Sequence, residues 1–90
     1  MDYKKKVAIT LKKANSLTAK VLKMTEDDKY CIDIIQQNLA IIGLLKSANL
    51  ALLEGHLGCC VVNAAKAGDE KRINVMMDEI LKVVKTAQNK

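Results

Sequence analysis

The sequence predicts an all-α fold: a three-helix protomer with a long central helix. Three observations support this prediction. The chain has no proline, half of its residues are apolar, and the apolar residues recur at helical spacing in three segments. Ninety residues suffice for one small domain, so we expect residues 1–90 to form a single domain. Helices this apolar leave faces that one short chain cannot cover, which indicates association.

The first helix is expected over about residues 3–24, with an apolar stripe and a basic outer face. The stripe consists of Val7, Leu11, Ala14, Leu17 and Val21. At roughly 100° per residue, the lysines gather on the other side of this helix. They are Lys5, Lys6, Lys12, Lys13, Lys20 and Lys23. Such a face suits contact with phosphates or an acidic surface, although charge alone is equally consistent with a solvated lysine face.

The second helix is expected over about residues 27–65 and the third over about 69–88. Thr25 or Asp27 can cap the second helix, and Gly68 and Asp69 can close it and start the third. Apolar residues occur on all sides of the second helix, which indicates that other helices surround it. Polar residues, among them Lys46, interrupt its apolar run, so we expect a buried helix and no contact with a membrane.

Three cysteines form an odd set without the spacing of a disulfide framework. No apolar leader segment follows the charged N-terminus. We therefore expect reduced thiols and a cytoplasmic protein.

Potential soft metal ligands occur at both ends of the second helix. Cys31 and His56 are 25 residues apart, which is about 37 Å on a continuous helix, so they cannot share an ion within one chain. His56 and Cys60 are four residues apart and can share an ion within one chain. All three would fall within about 40° of one another around a regular helix. Two such helices packed antiparallel would bring Cys31 of one chain against His56 and Cys60 of the other, giving two equivalent sites.

Two thiolates and one imidazole favour Cu(I) over Zn(II) or Ni(II), because structural zinc usually takes four ligands. Cys59 could be a fourth ligand, but on a regular helix it points about 100° away from Cys60. The alternative is that these are ordinary packing residues, since a cysteine in an apolar helix is usually a small core residue. Spacing alone supports both interpretations equally.

The run Tyr30-Cys31-Ile32-Asp33, followed by Leu52-Leu53-Glu54-x-His56-Leu57-x-x-Cys60, resembles the copper-sensing operon repressors and their metal-, formaldehyde- and persulfide-responsive relatives. The resemblance extends from about Leu11 to Val84. It implies an antiparallel helical-bundle dimer, usually assembled as a dimer of dimers, with Cu(I) bound by Cys31 of one subunit and His56 and Cys60 of the other. It also implies that Tyr30 is an outer-shell residue, and that ligand binding releases the protein from operator DNA.

The first helix departs from the family pattern. The family typically has an arginine-rich run with Glu-Gly-Gln, whereas this chain has Asn15-Ser16-Leu17 and lysines. Lysine lacks the bidentate fork of arginine, so phosphate contacts by Lys5, Lys6, Lys12, Lys13 and Lys20 are expected to survive better than sequence readout.

The sequence thus predicts a Cu(I)-responsive transcriptional repressor, acting as a homodimer or homotetramer on operator DNA. The alternative is a copper-binding or persulfide- and thiol-sensing relative whose DNA binding is altered or lost. We expect no enzymatic activity, because the sequence shows no nucleophile–base–orienter set and no phosphate-binding loop.

Overall fold

The computed structural model describes residues 2–88, and within that range the chain is helical and has no strand. Helix α1 spans Asp2–Glu26 and α2 spans Cys31–Gly55. A π-helical turn, His56–Val61, continues α2 into the short α3, Val62–Lys66, and α4 spans Glu70–Gln88. The all-α prediction is confirmed. No helix in the described range is both long and apolar enough to cross a membrane.

The chain divides into two compact units, Met1–Glu54 and Gly55–Lys90. The first contains α1 and almost all of α2, and the second contains the π-helical turn, α3 and α4. That both units belong to a single domain stays a prediction.

The first turn, between α1 and α2, is stabilised by backbone bonds around a left-handed residue. Asp28 has a φ of 57°, and the Lys29 N–H donates to the Met24 carbonyl at 2.9 Å. This Schellman-type closure ends α1 two residues later than the sequence predicts. The Thr25 hydroxyl donates to the Val21 carbonyl at 2.9 Å, so Thr25 belongs to the last turn of α1 and does not cap α2. Helix α2 consequently begins at Cys31 and not near residue 27.

The second turn, between α3 and α4, has the residues that the sequence predicts. Gly68 has a φ of 69°, where an L side chain is strained, and the Asp69 N–H donates to the Ala64 carbonyl at 3.1 Å. The Arg72 N–H donates to Asp69 Oδ1 at 3.0 Å, which is the bond of an N-cap. Gly68 as the helix closure and Asp69 as the cap are therefore confirmed.

The first unit is built on a stripe of residues in each helix, spaced alternately three and four apart, as in a coiled coil. The α1 stripe is buried or half-buried and consists of Tyr3, Val7, Thr10, Ala14, Leu17, Val21 and Met24. The corresponding α2 stripe consists of Ile34, Gln37, Ile41, Leu44, Ala48 and Ala51. Ala48, only 2% exposed, is the residue of α2 that is fully buried. Leu11, which the sequence places in the α1 stripe, is 43% exposed because Thr10 holds the position that continues the spacing.

The order of residues along two shared grooves shows that α1 and α2 are antiparallel. One groove joins Lys6, Ile9 and Thr10 of α1 to residues 47–54 of α2. The next runs from Ile9 to Lys20 of α1 and meets α2 at Leu44. Later residues of α1 thus lie beside earlier residues of α2.

In the second unit, α3 continues directly from the π-helical turn, and the turn at Gly68 brings the start of α4 beside α3. Ala64 and Met76 are buried, and Ile73 and Ile80 are half-buried. Ile73, Met76 and Ile80 recur at helical spacing and form an apolar seam on one face of α4. The seam stops there, since the last turns of α4 are exposed, with Val84 at 40%.

The left-handed turn at Gly68 gives a direct test of the second unit. We expect Gly68→Ala to lower the free energy of unfolding by about 1–2 kcal/mol, because a Cβ is strained at positive φ. The measurement is urea denaturation followed by far-UV circular dichroism at one protein concentration. The control is Gly43→Ala, in mid-helix with open space around its Cβ position, which should be neutral or stabilising by up to about 1 kcal/mol. Equal losses in both variants would contradict this account of the turn.

Candidate metal centre and nucleic-acid interface

Tyr30 and Cys31 mark the start of α2. The Tyr30 carbonyl accepts hydrogen bonds from the backbone N–H of Asp33 at 3.1 Å and of Ile34 at 3.2 Å, which fixes the first turn. The Cys31 thiol is free and exposed, and Tyr30 is 69% exposed. Neither side chain is therefore packed in the core of its own unit.

His56 and Cys60 lie in the π-helical turn of the second unit. The ligand geometry inferred from the sequence assumes an α-helix that stays regular through Gly55 and Gly58, and the structure differs on this point. A π-helix bonds residues five apart, so each turn takes more residues than an α-helical turn. Residues four apart still occupy neighbouring positions on one face, and both side chains are half-buried. Such turns are frequent at functional sites.

Cys59 has a local partner that distinguishes it from Cys60. The Asn63 amide Nδ2 lies 4.0 Å from the Cys59 Sγ, one turn away on the same helix. This weak bond gives Cys59 a role within its own helix. No comparable bond to Cys60 is found in the described part of the chain.

The predicted ligands do not form a complete site within one chain. Across residues 2–88, no group of three or more His, Cys, Asp or Glu side chains could hold a metal ion. Cys31 belongs to the first unit, and His56 and Cys60 belong to the second. The donor set itself, two thiolates and an imidazole, is chemically suited to Cu(I).

A second stripe on α2 is exposed, and we call it the exposed α2 stripe. Its residues also alternate three and four apart: Cys31, Ile35, Asn38, Ile42, Leu45, Asn49 and Leu52. Its apolar members are from 36% exposed at Leu52 to 51% exposed at Ile35. The next position in the same spacing is 56, which is His56. The stripe therefore has one predicted ligand at its start and leads to another.

The sequence-based interpretation of α2 did not separate this exposed stripe from the buried one. Apolar residues occur on every side of α2, and the overall pattern hides two distinct heptad series. Counting every series of alternating three- and four-residue steps would have revealed both. The two asparagines, at 38 and 49, are the signal that would have identified the exposed one.

The predicted DNA-binding lysines are all exposed on α1. They are Lys5, Lys6, Lys12, Lys13 and Lys20. Lys12, Lys13 and Lys20 line a groove whose apolar wall includes Ile9, Leu17 and Leu44. The ion pair found among the described residues involves a different lysine, Lys23, which lies 4.0 Å from Asp27, so within that range the five are not neutralised. Helix α1 thus presents a row of unpaired ammonium groups to an anion.

Comparison with known proteins adds a family and a structural relative. The family model described as metal-sensitive transcriptional repressor matches residues 3–86. The copper-sensing transcriptional repressor CsoR of Bacillus subtilis strain 168 is 34% identical over 84 residues, covering 92% of this chain and 83% of its own. The copper-sensing transcriptional repressor RicR of Mycobacterium tuberculosis H37Rv is 37% identical over 67 residues, covering 74% of this chain and 70% of its own.

A solved structure agrees with the fold. The crystal structure of the copper-sensing repressor CsoR with Cu(I) from Geobacillus thermodenitrificans NG80-2 aligns with a TM-score of 0.78 and 34% identity. The alignment covers 89% of this chain and 84% of that one. The similarity thus extends over α1, α2 and most of the remaining chain.

Proposed function

The chain belongs to the family of metal-sensitive transcriptional repressors, and on this basis we propose that it is a Cu(I)-responsive repressor. It binds operator DNA when metal-free and leaves the DNA when Cu(I) binds. The observation that carries this proposal is the soft donor set, Cys31 at one end of α2 and His56 and Cys60 beyond the other, in a chain similar to copper-sensing repressors. Family membership identifies a repressor and not an enzyme.

The site is formed by two protomers. In an antiparallel dimer, the exposed α2 stripes of two copies cover each other, and Cys31 of one protomer meets His56 and Cys60 of its partner. The exposure of the stripe supports this arrangement, because a row of large apolar side chains on a long helix is stabilised by burial against a partner. Two such dimers then assemble into a tetramer.

Each residue of the site has a distinct role. Cys31 and Cys60 supply thiolates, His56 supplies a neutral imidazole nitrogen, and Tyr30, beside Cys31, belongs to the outer shell. Cu(I) is a soft cation, and when bound it would hold these three donors together. Zn(II) and Ni(II) suit the set less well, because a three-ligand thiolate-rich site leaves their preferred coordination incomplete.

The π-helical turn is the element through which we expect the site to act. It contains His56 and Cys60 and continues directly into α3. When the donors of two protomers converge, the turn shifts towards the partner's Cys31. The basic α1 faces then no longer match the spacing of DNA phosphates. For Cu(I) to release the repressor from DNA, the DNA-free protein must bind Cu(I) more tightly than the DNA-bound protein does. We place this activity in the cytoplasm, where operator DNA is accessible.

The ligand assignment is tested by single substitutions. We expect Cys31→Ala, His56→Ala and Cys60→Ala each to weaken Cu(I) binding at least 100-fold, because each removes one of three donors. The measurement is titration against a Cu(I)-selective chromophoric chelator. The matched control is Cys59→Ala, which should keep wild-type affinity, since Cys59 is engaged by Asn63. A large loss in Cys59→Ala with none in Cys60→Ala would exchange the roles of the two cysteines.

The role of the basic α1 face is tested by salt dependence. We expect the double variant Lys12→Gln, Lys13→Gln to bind operator DNA more weakly. The slope of log binding constant against log salt concentration should decrease in magnitude by about 1 for each lysine–phosphate interaction that the substitutions remove. Fluorescence anisotropy with the chain's own upstream DNA measures both quantities. The control is Lys82→Gln, Lys85→Gln, which removes the same charge from exposed positions on α4. If the α4 variant loses as much affinity, general charge and not the α1 face governs binding.

Coupling between the two sites is tested with both ligands present. We expect Cu(I) to lower the DNA affinity of the wild type by roughly 5- to 150-fold, the usual range of allosteric coupling, and to leave Cys31→Ala unaffected. Anisotropy titrations with and without one equivalent of Cu(I) per protomer supply the comparison. If Cu(I) binds the wild type tightly and DNA affinity is unchanged, the chain binds copper without regulating DNA binding.

A further inference from the structure

We propose that Asn38 of one protomer and Asn49 of its partner form a buried amide pair that fixes the register of the antiparallel dimer and thereby aligns the metal ligands. The inference rests on the proposed dimer and adds residues that the ligand set does not include. Both asparagines lie in the exposed α2 stripe, among apolar neighbours. Neither side chain has a hydrogen-bond partner within residues 2–88.

The exposed α2 stripe is symmetric about its own middle. The midpoint between residues 43 and 44 is equidistant from Ile42 and Leu45 and also from Asn38 and Asn49. Outside them, Ile35 is matched by Leu52. In an antiparallel pair of helices related by a two-fold axis at this midpoint, every apolar member opposes an apolar member. The same axis places each asparagine opposite an asparagine.

This register was obtained from the stripe alone, and it predicts the position of the ligands. The residue opposite Cys31 in the partner is then number 56, which is His56. Cys60 follows one turn later. A slip of one heptad would oppose Asn38 to His56 and Asn49 to Leu45 in one direction, or Asn38 to Ile42 and Asn49 to Cys31 in the other, so the asparagines would no longer face each other. It would also separate Cys31 from His56 by seven residues, or about 10 Å along the helix axis.

The chemistry of the amide explains why such a slip is disfavoured. Helices in contact are roughly 8–10 Å apart, a span that two asparagine side chains can bridge. Each amide has both donors and acceptors, so two facing amides satisfy each other. An asparagine opposite leucine or isoleucine would be buried without a partner, which is unfavourable. A single buried polar residue in a coiled-coil seam is known to specify register at some loss of stability. Here the two-fold axis gives two such pairs in each dimer.

The register is tested directly by disulfide trapping. In the full chain with Cys31→Ser, Cys59→Ser and Cys60→Ser, the variant N38C/N49C should form a covalent dimer when treated with oxidised glutathione. The variant N38C alone should not, because two copies of residue 38 would lie about 16 Å apart along the axis in the proposed register, too far for a disulfide. Far-UV circular dichroism verifies that both variants remain helical. Crosslinking of N38C alone as efficiently as the pair would overturn the register.

The positioning role is tested by leucine substitutions in the otherwise unaltered chain. We expect N38L and N49L each to raise the dimer dissociation constant at least tenfold, because each leaves a partner amide unpaired. In N38L/N49L dimerisation should recover, whereas Cu(I) affinity should stay at least tenfold weaker than in N74L, an exposed control on α4. Sedimentation equilibrium and the chelator titration give the two readouts. Wild-type Cu(I) affinity in N38L/N49L, or simple additivity of the two single effects on dimerisation, would overturn the proposal.

The two proposals can fail separately. Trapping of N38C/N49C without any tight Cu(I) binding by the wild type would leave the register intact and reject copper sensing. Tight Cu(I) binding by the wild type without trapping of N38C/N49C would reject the register and leave copper sensing intact.

Discussion

The length of α2 is the constraint on which the rest of the molecule depends. A regular helix from Cys31 to Gly55 separates its ends by about 36 Å, and no side-chain rotation can shorten that distance. A side chain at the start of α2 therefore cannot reach one at its end within the same chain. The middle of this helix has a single charged residue, Lys46, between Asp33 and Glu54. An element with these properties is stabilised by another helix along its whole exposed side.

The features that could be predicted from the sequence are those determined by local chemistry or strong periodicity. Gly68 and Asp69 closed one helix and capped the next as expected, because their conformational and hydrogen-bonding preferences act within a few residues. The all-α fold followed from the spacing of apolar residues. The copper-sensing family followed from Cys31, His56 and Cys60, and the relatives agree with it. The assignment of those three residues as ligands remains a prediction.

The features that could not be predicted depend on competition between near-equal alternatives. Asp28 adopts a left-handed conformation that most non-glycine residues avoid, and this moved the start of α2 to Cys31. The π-helical turn bonds residues five apart, whereas an α-helix bonds residues four apart. Gly55 and Gly58 indicate only that the helix is loose in this segment. The two faces of α2 were merged because both are largely apolar, and the packing of α1 decides which of them is buried. In each case the deciding free energy lies in tertiary contacts, which a single sequence does not display.

The asparagines of the exposed α2 stripe also bear on which chains can assemble together. If a cell holds a related repressor with leucine or isoleucine at both positions, a mixed dimer would leave the amides of this chain buried and unpaired. This penalty applies to the mixed dimer and not to the homodimer, so the asparagines disfavour the wrong partner. The penalty counts twice in a mixed dimer, since both Asn38 and Asn49 of this chain would face an apolar residue. The same two residues that align a metal site would thus keep one regulatory circuit separate from another.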